Sequence, residues 1–148
     1  MECRCQECQK CCERTPGWLS PKDVRRLATH LGVTMRELFA THLCFDYWVG
    51  DHEMPETFVP SPATTQCAAG QTMPWSAPMA GNNRCLLFRR GLCSIHTAKP
   101  RECRATMGCQ EEAISRTDNR WRRRIARAWN RPAARRFMET LRSAVSHD

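Results

Sequence analysis

Cys5-Gln6-Glu7-Cys8-Gln9-Lys10-Cys11-Cys12 places four thiols within eight residues. Thiolates two residues apart can face one ion from a tight turn, because the short loop lets backbone N–H groups point at sulfur while the side chains converge. A disulfide between neighbours such as Cys11 and Cys12 is strained, since a bridge wants Cβ atoms about 3.5–4.5 Å apart and a near-perpendicular torsion. The chain of 148 residues carries 11 cysteines, and an odd number cannot all pair within one chain. No apolar h-region opens the sequence, and no segment reaches the roughly 18 apolar residues of a membrane span. The expectation is a cytoplasmic chain with no membrane segment, in which clustered thiols act as ligands or redox groups rather than disulfides.

Outward from the cluster, Thr15-Pro16-Gly17-Trp18 reads as a turn. Ser20 then reads as an N-cap with Pro21 at the first helical position. Val24, Leu27, Ala28 and Leu31 share one face, and Gly32 stands where a helix stops. Thr34 and Glu37 have capping-box spacing, which predicts a second short helix ending near His42. Residues 44 to 83 hold five prolines and no sustained period, so they read as a long irregular excursion. Two apolar runs, Cys85-Leu86-Leu87-Phe88 and Leu92-Cys93-Ser94-Ile95, flank Arg89-Arg90-Gly91 and predict a β-hairpin. Pro100 opens a short helix carrying Cys103. In the last third, Ile114, Trp121, Ile125, Ala128 and Trp129 line one side of a helix, Pro132 punctuates, and Phe137, Leu141 and Val145 recur every four residues.

Against iron-sulfur spacings, Cys5, Cys8 and Cys11 fit the first three positions of a bacterial ferredoxin run, but the fourth falls on Thr15. A further ligand must come from elsewhere, and Cys85, Cys93 and Cys103 are the candidates. Such a split site joins two distant parts of the chain through the metal and adds to stability as well as chemistry.

Together with the cysteine head, Gly91-Leu92-Cys93-Ser94-Ile95-His96 and Lys99-Pro100-Arg101-Glu102-Cys103-Arg104 resemble the CxxCxxCC family of zinc- or iron-chelating proteins, the YkgJ-like cysteine-cluster proteins. The resemblance covers roughly residues 3 to 109 and rests on the combination of pieces. It implies a metal set of Cys5, Cys8, Cys11, Cys12, Cys85, Cys93 and Cys103, and zinc or iron, including an iron-sulfur cluster, as the cofactor. Lys99 stands where the family usually has arginine, His96 where it more often has tyrosine, and the stretch between Cys44 and Cys85 is long and rich in Pro and Met.

Seven thiolates exceed one tetrahedral ion, and the adjacent Cys11 and Cys12 point in different directions, which suits two metals or a bridge. Four thiolates on zinc carry a formal charge of about −2, which Arg4, Lys10, Arg101 and Arg104 are placed to offset. All-sulfur ligation is compatible with zinc, iron-sulfur clusters and Cu(I) alike. Cys44 and Cys67 lack partners at ligand spacing and read as ordinary small buried or loop residues. Cys3 and Cys109 flank the implied set closely enough to supplement it. His30, His42, His52 and His147 show no ligand pairing, and His52, between Asp51 and Glu53, is the one to check.

The formal net charge of +8 is concentrated. Arg116, Arg120, Arg122, Arg123, Arg124, Arg127, Arg131, Arg135, Arg136 and Arg142 face only Asp118 and Glu139 over that stretch. These arginines can track nucleic-acid phosphates or dock an acidic protein, but Trp121, Ile125 and Trp129 have core spacing, which makes the arginines the solvated faces of a packed helix. No glycine-rich phosphate loop and no acid/base or nucleophile constellation is present, which favours a binding protein over an enzyme. Resemblance to cysteine-head members that act as flagellin lysine N-methylases keeps a metal-cluster protein methylase as an alternative. The expected fold is α+β, a mostly helical small single domain with a short β-hairpin, organised around a cysteine-ligated metal site. Residues 1–110 form its cysteine-cluster metal-binding part, and residues 111–148 a basic helical C-terminal extension packed on it.

Overall fold

Ser20 caps the first helix, α1 (Pro21–Leu31), through a reciprocal box. Its hydroxyl accepts from the Asp23 N–H while the Asp23 carboxylate accepts from the Ser20 N–H. The structure is a computed structural model that describes residues 6, 9, 12, 13, 16–75, 83–105 and 120–145. Gly32 ends α1 in the left-handed region, at φ 68°, a backbone conformation that strains any residue with a Cβ. A second capping box, Thr34 with Glu37, starts α2 (Met35–Thr41). Both helix starts are as the sequence predicts. Asp23 also accepts from the Arg101 N–H (3.3 Å) and pairs with Arg26 (2.8 Å), which ties the cap to the chain around Cys103. Replacing Ser20 with alanine is expected to lower the unfolding free energy by about 1 kcal/mol, read by urea denaturation.

The irregular excursion expected over residues 44 to 83 is corrected. Leu43–Trp48 (β1) and Thr57–Pro62 (β2) form an antiparallel ribbon, in register from Leu43 opposite Pro62 to Trp48 opposite Thr57. Both faces of its inner half are covered, so Leu43, Cys44 and Phe45 are all buried and no alternation is left for a period-two reading. Pro60 and Pro62 further disguise β2, and Pro60 contributes through its carbonyl, which accepts from the Leu19 N–H (3.0 Å). On its other edge β1 meets a single parallel bridge, Phe45 to Thr72.

The second hairpin is shorter than its apolar runs suggest: Phe88–Arg89 (β3) pairs with Leu92–Cys93 (β4). Arg90 and Gly91 turn it with positive φ, 53° and 78°, the signature of a type I′ turn. A 3-10 turn, His96–Ala98, leads to α3 (Arg101–Ala105), which carries Cys103 as expected.

The chain closes with α4 (Arg120–Trp129) across both strands of the ribbon and α5 (Pro132–Val145) against α2 and β2. Phe39 stacks on Phe45, with centroids 5.1 Å apart, and each such fully buried side chain contributes about 1.5–3 kcal/mol. Three of the expected core positions differ: Trp121 is only half-buried. Ala126 rather than Ala128 is sealed inside α4, and Met138 replaces Phe137, which stays 39% exposed, on the inner face of α5. The every-four spacing picked the wrong neighbour because an apolar stripe on a 3.6-residue helix also drifts through i+3. Ile114 lies outside the described residues. The fold is thus a small single-domain α+β arrangement. No helix among the described residues is long and apolar enough to cross a membrane.

Candidate metal centre

Residues 16–19 form the hinge of the site. Leu19 is held by β2 through its N–H and by α4 through its carbonyl, which accepts from Trp129 Nε1 (2.7 Å). One step back, the Trp18 N–H donates to the buried Glu102 carboxylate (2.8 Å), whose other oxygen accepts from Arg122 Nε (3.0 Å). Arg122 also reaches the Pro16 carbonyl (3.2 Å) and lies over the Trp18 ring, 4.4 Å from its centroid. Glu102 therefore pins the start of α3 to the turn after the cysteine head. The contact at Gly17 is close: a Cβ there would lie 2.5 Å from Cys103 Sγ and 3.1 Å from Cys103 N.

Cys12 has helical backbone and is half-buried. Its carbonyl accepts from the Cys85 N–H at 2.7 Å, and Gln9 Nε2 donates to the Gly91 carbonyl at 3.4 Å, so this part of the amino-terminal run lies along the second hairpin. Cys85 is buried, Cys93 sits on β4 and Cys103 on α3, both half-buried. Burial pushes the Cys85 thiol above its ordinary value. The nearby Cys103 pushes the same way, the Leu87 N–H pulls it back, and Cys12 and Cys93 add smaller upward pushes. A cation among these sulfurs would remove that penalty by neutralising the charge that burial disfavours.

Four of the seven implied ligands, Cys12, Cys85, Cys93 and Cys103, are thus neighbours. Cys5, Cys8 and Cys11, like Cys3 and Cys109, lie outside the described residues. Among the described residues no three His, Cys, Asp or Glu side chains converge closely enough to hold an ion. Arg104 holds the 3-10 turn, donating to the carbonyls of Thr97 (2.9 Å), His96 and Lys99 (both 3.3 Å), and Lys99 itself is buried at 6% exposure. Arg4 and Lys10 are outside the described residues. His52 is exposed and lies beside Glu53 (3.6 Å).

Sequence reading missed Glu102 and Gly17 as parts of this region. A carboxylate and a glycine carry no periodicity, and only the meeting of residues 16–18 with 102–103 gives them a role. Several described arginines of the basic stretch serve the fold. Arg122 is clamped by Glu102, Arg123 pairs with Asp51 (3.2 Å) and Glu53 (2.6 Å), and Arg142 lies 3.5 Å over the Phe58 ring.

No curated protein and no solved structure matches the chain. A family model does: CxxCxxCC, described as "Putative zinc- or iron-chelating domain", matches residues 4–122. That span holds the cysteine head, the Glu102 clamp and the hairpin together, and the chain accordingly belongs to the CxxCxxCC family.

Proposed function

We propose that this protein holds zinc or iron through thiolates drawn from both ends of the family span. Cys5, Cys8, Cys11 and Cys12 come from the amino-terminal run and Cys85, Cys93 and Cys103 from the hairpin and α3. Its role is to chelate, store or deliver the ion in a reducing compartment, the cytoplasm. The observation that carries the reading is the hydrogen bond from the Cys85 N–H to the Cys12 carbonyl, 2.7 Å. Residues far apart in sequence meet there, with Cys93 and Cys103 close enough to act on the same thiol. The donors are soft and suit zinc as a closed tetrahedral site or iron in a sulfide cluster. Two ions, or one bridged pair, would use all seven sulfurs.

Protein purified reduced, without added metal, is expected to contain stoichiometric zinc or iron by elemental analysis. Visible absorbance separates an iron-sulfur cluster from colourless zinc. Cys85→Ser and Cys103→Ser are each expected to lose most of the metal, and chelation is expected to lower the Tm of the wild type. Metal-free protein that melts at the same temperature as the isolated form would overturn the proposal.

A further inference from the structure

Cys44 and Cys67, which share no motif with the family cluster, are brought together by the first ribbon. Cys44 lies on β1, fully buried, and Cys67 is 3% exposed in a tight turn in which it and Thr64 exchange backbone hydrogen bonds (2.9 and 3.2 Å). The parallel bridge beside β1 adds a third sulfur. Phe45 N–H donates to the Gln71 carbonyl (2.9 Å) and Met73 N–H to the Phe45 carbonyl (2.7 Å), which sets Met73 beside Cys44. Cys44, Cys67 and Met73 form their own small buried cluster, separate from the main core.

The polar surroundings of this cluster are sparse. The hydrogen-bond acceptors of the two thiols are long: Pro62 O at 3.6 Å from Cys44 Sγ, and Gln71 O and Ala68 O at 3.5 and 3.8 Å from Cys67 Sγ. The Asn83 amide donates to Met73 Sδ (3.9 Å), while its Oδ1, in a residue only 2% exposed, has no hydrogen-bond partner among the described residues. Asp46, two positions along β1, acts electrostatically on both thiols. Met73 also lines a cavity of about 470 Å³ together with Trp18, Asp46, Trp48 and Trp75, so one of the three sulfur residues borders an open space.

We propose that Cys44, Cys67 and Met73 form a second metal site, a three-sulfur site for copper(I), distinct from the family cluster. The donor set selects the ion: two thiols and a thioether are all soft, which favours Cu(I), whereas a structural zinc site closes with four ligands. Binding is an exchange in which Cu(I) forms two Cu–S(thiolate) bonds and a Cu–S(thioether) contact while the two thiol protons leave to solvent. No electron is transferred. Thr64 stands between the two sites, bridging to Cys67 on one side and to Cys85 on the other.

The test titrates reduced, zinc-loaded protein anaerobically with Cu(I) supplied as its acetonitrile complex. Copper and zinc are counted after desalting, and Tm is recorded. The wild type is expected to retain its first equivalent of copper without releasing zinc and to melt higher. Cys67→Ser and Cys44→Ser are expected to retain one equivalent less, with their zinc content unchanged. Met73→Leu keeps the volume and the fold, and is expected to weaken copper retention about 10-fold or more without altering zinc. Equal copper retention in the wild type, Cys67→Ser and Met73→Leu would overturn the proposal, as would zinc displaced in step with the first copper. Should the protein take up neither zinc nor iron, copper held by the wild type and lost in Cys44→Ser, Cys67→Ser and Met73→Leu would still support this site while refuting the family-cluster reading.

Discussion

Glu102→Ala is expected to lower the unfolding free energy by about 3–5 kcal/mol, measured by chemical denaturation at neutral pH. Glu102 is 2% exposed and accepts from both the Trp18 N–H and Arg122 Nε. Its removal leaves a backbone donor and a guanidinium, itself only 17% exposed, without their buried acceptor. The cost comes from uncompensated burial more than from a lost attraction. Two companion variants separate those causes. Glu102→Gln retains an acceptor for the Trp18 N–H and should lose less. Glu102→Ala combined with Arg122→Leu should be less destabilised than the sum of its parts, a coupling that a double-mutant cycle reads directly. A loss below about 1 kcal/mol, the range of an exposed ion pair, would show that the clamp does not organise this end of the fold. Because Glu102 precedes Cys103, the variant should also retain less zinc or iron.

The second large effect is expected from Gly17→Ala. The added methyl would sit 2.5 Å from Cys103 Sγ and 3.1 Å from Cys103 N, too close for either to remain in place. The turn cannot retreat easily, since Pro16, Trp18 and Leu19 are each hydrogen-bonded to a different element. Overpacking of this kind costs about 1–3 kcal/mol. Its larger consequence is that Cys103 must turn away from its neighbours, so metal affinity is expected to fall about 10–100-fold. Competition against a chromophoric chelator measures that ratio. Equal affinity in the wild type and Gly17→Ala would mean that Cys103 does not contribute a ligand.

Both predictions depend on residues whose importance is invisible along the chain. The helix starts at Ser20 and Thr34 were legible because capping is local, set by side chains reaching backbone three residues away. The turn at Gly91 was legible for the same reason, a positive φ at one position. The ribbon Leu43–Trp48 with Thr57–Pro62 was not, because its inner half is buried on both faces and its second strand carries two prolines. With the ribbon hidden, the pairing of Cys44 with Cys67 was hidden too: 22 intervening residues carry no ligand spacing, and only strand register brings the sulfurs together.

By itself, the amino-acid sequence determined the family, the soft-donor chemistry and the local helix boundaries. Each of these is written in residue type and short spacing, where side chain and backbone interact within a turn or two. Tertiary structure alone decided that the Cys12 carbonyl takes the Cys85 N–H, that Gly17 yields its space to Cys103, and that Glu102 becomes a buried clamp. These are long-range contacts selected by burial of the shared core, and no local pattern encodes which distant residue will fill a given space.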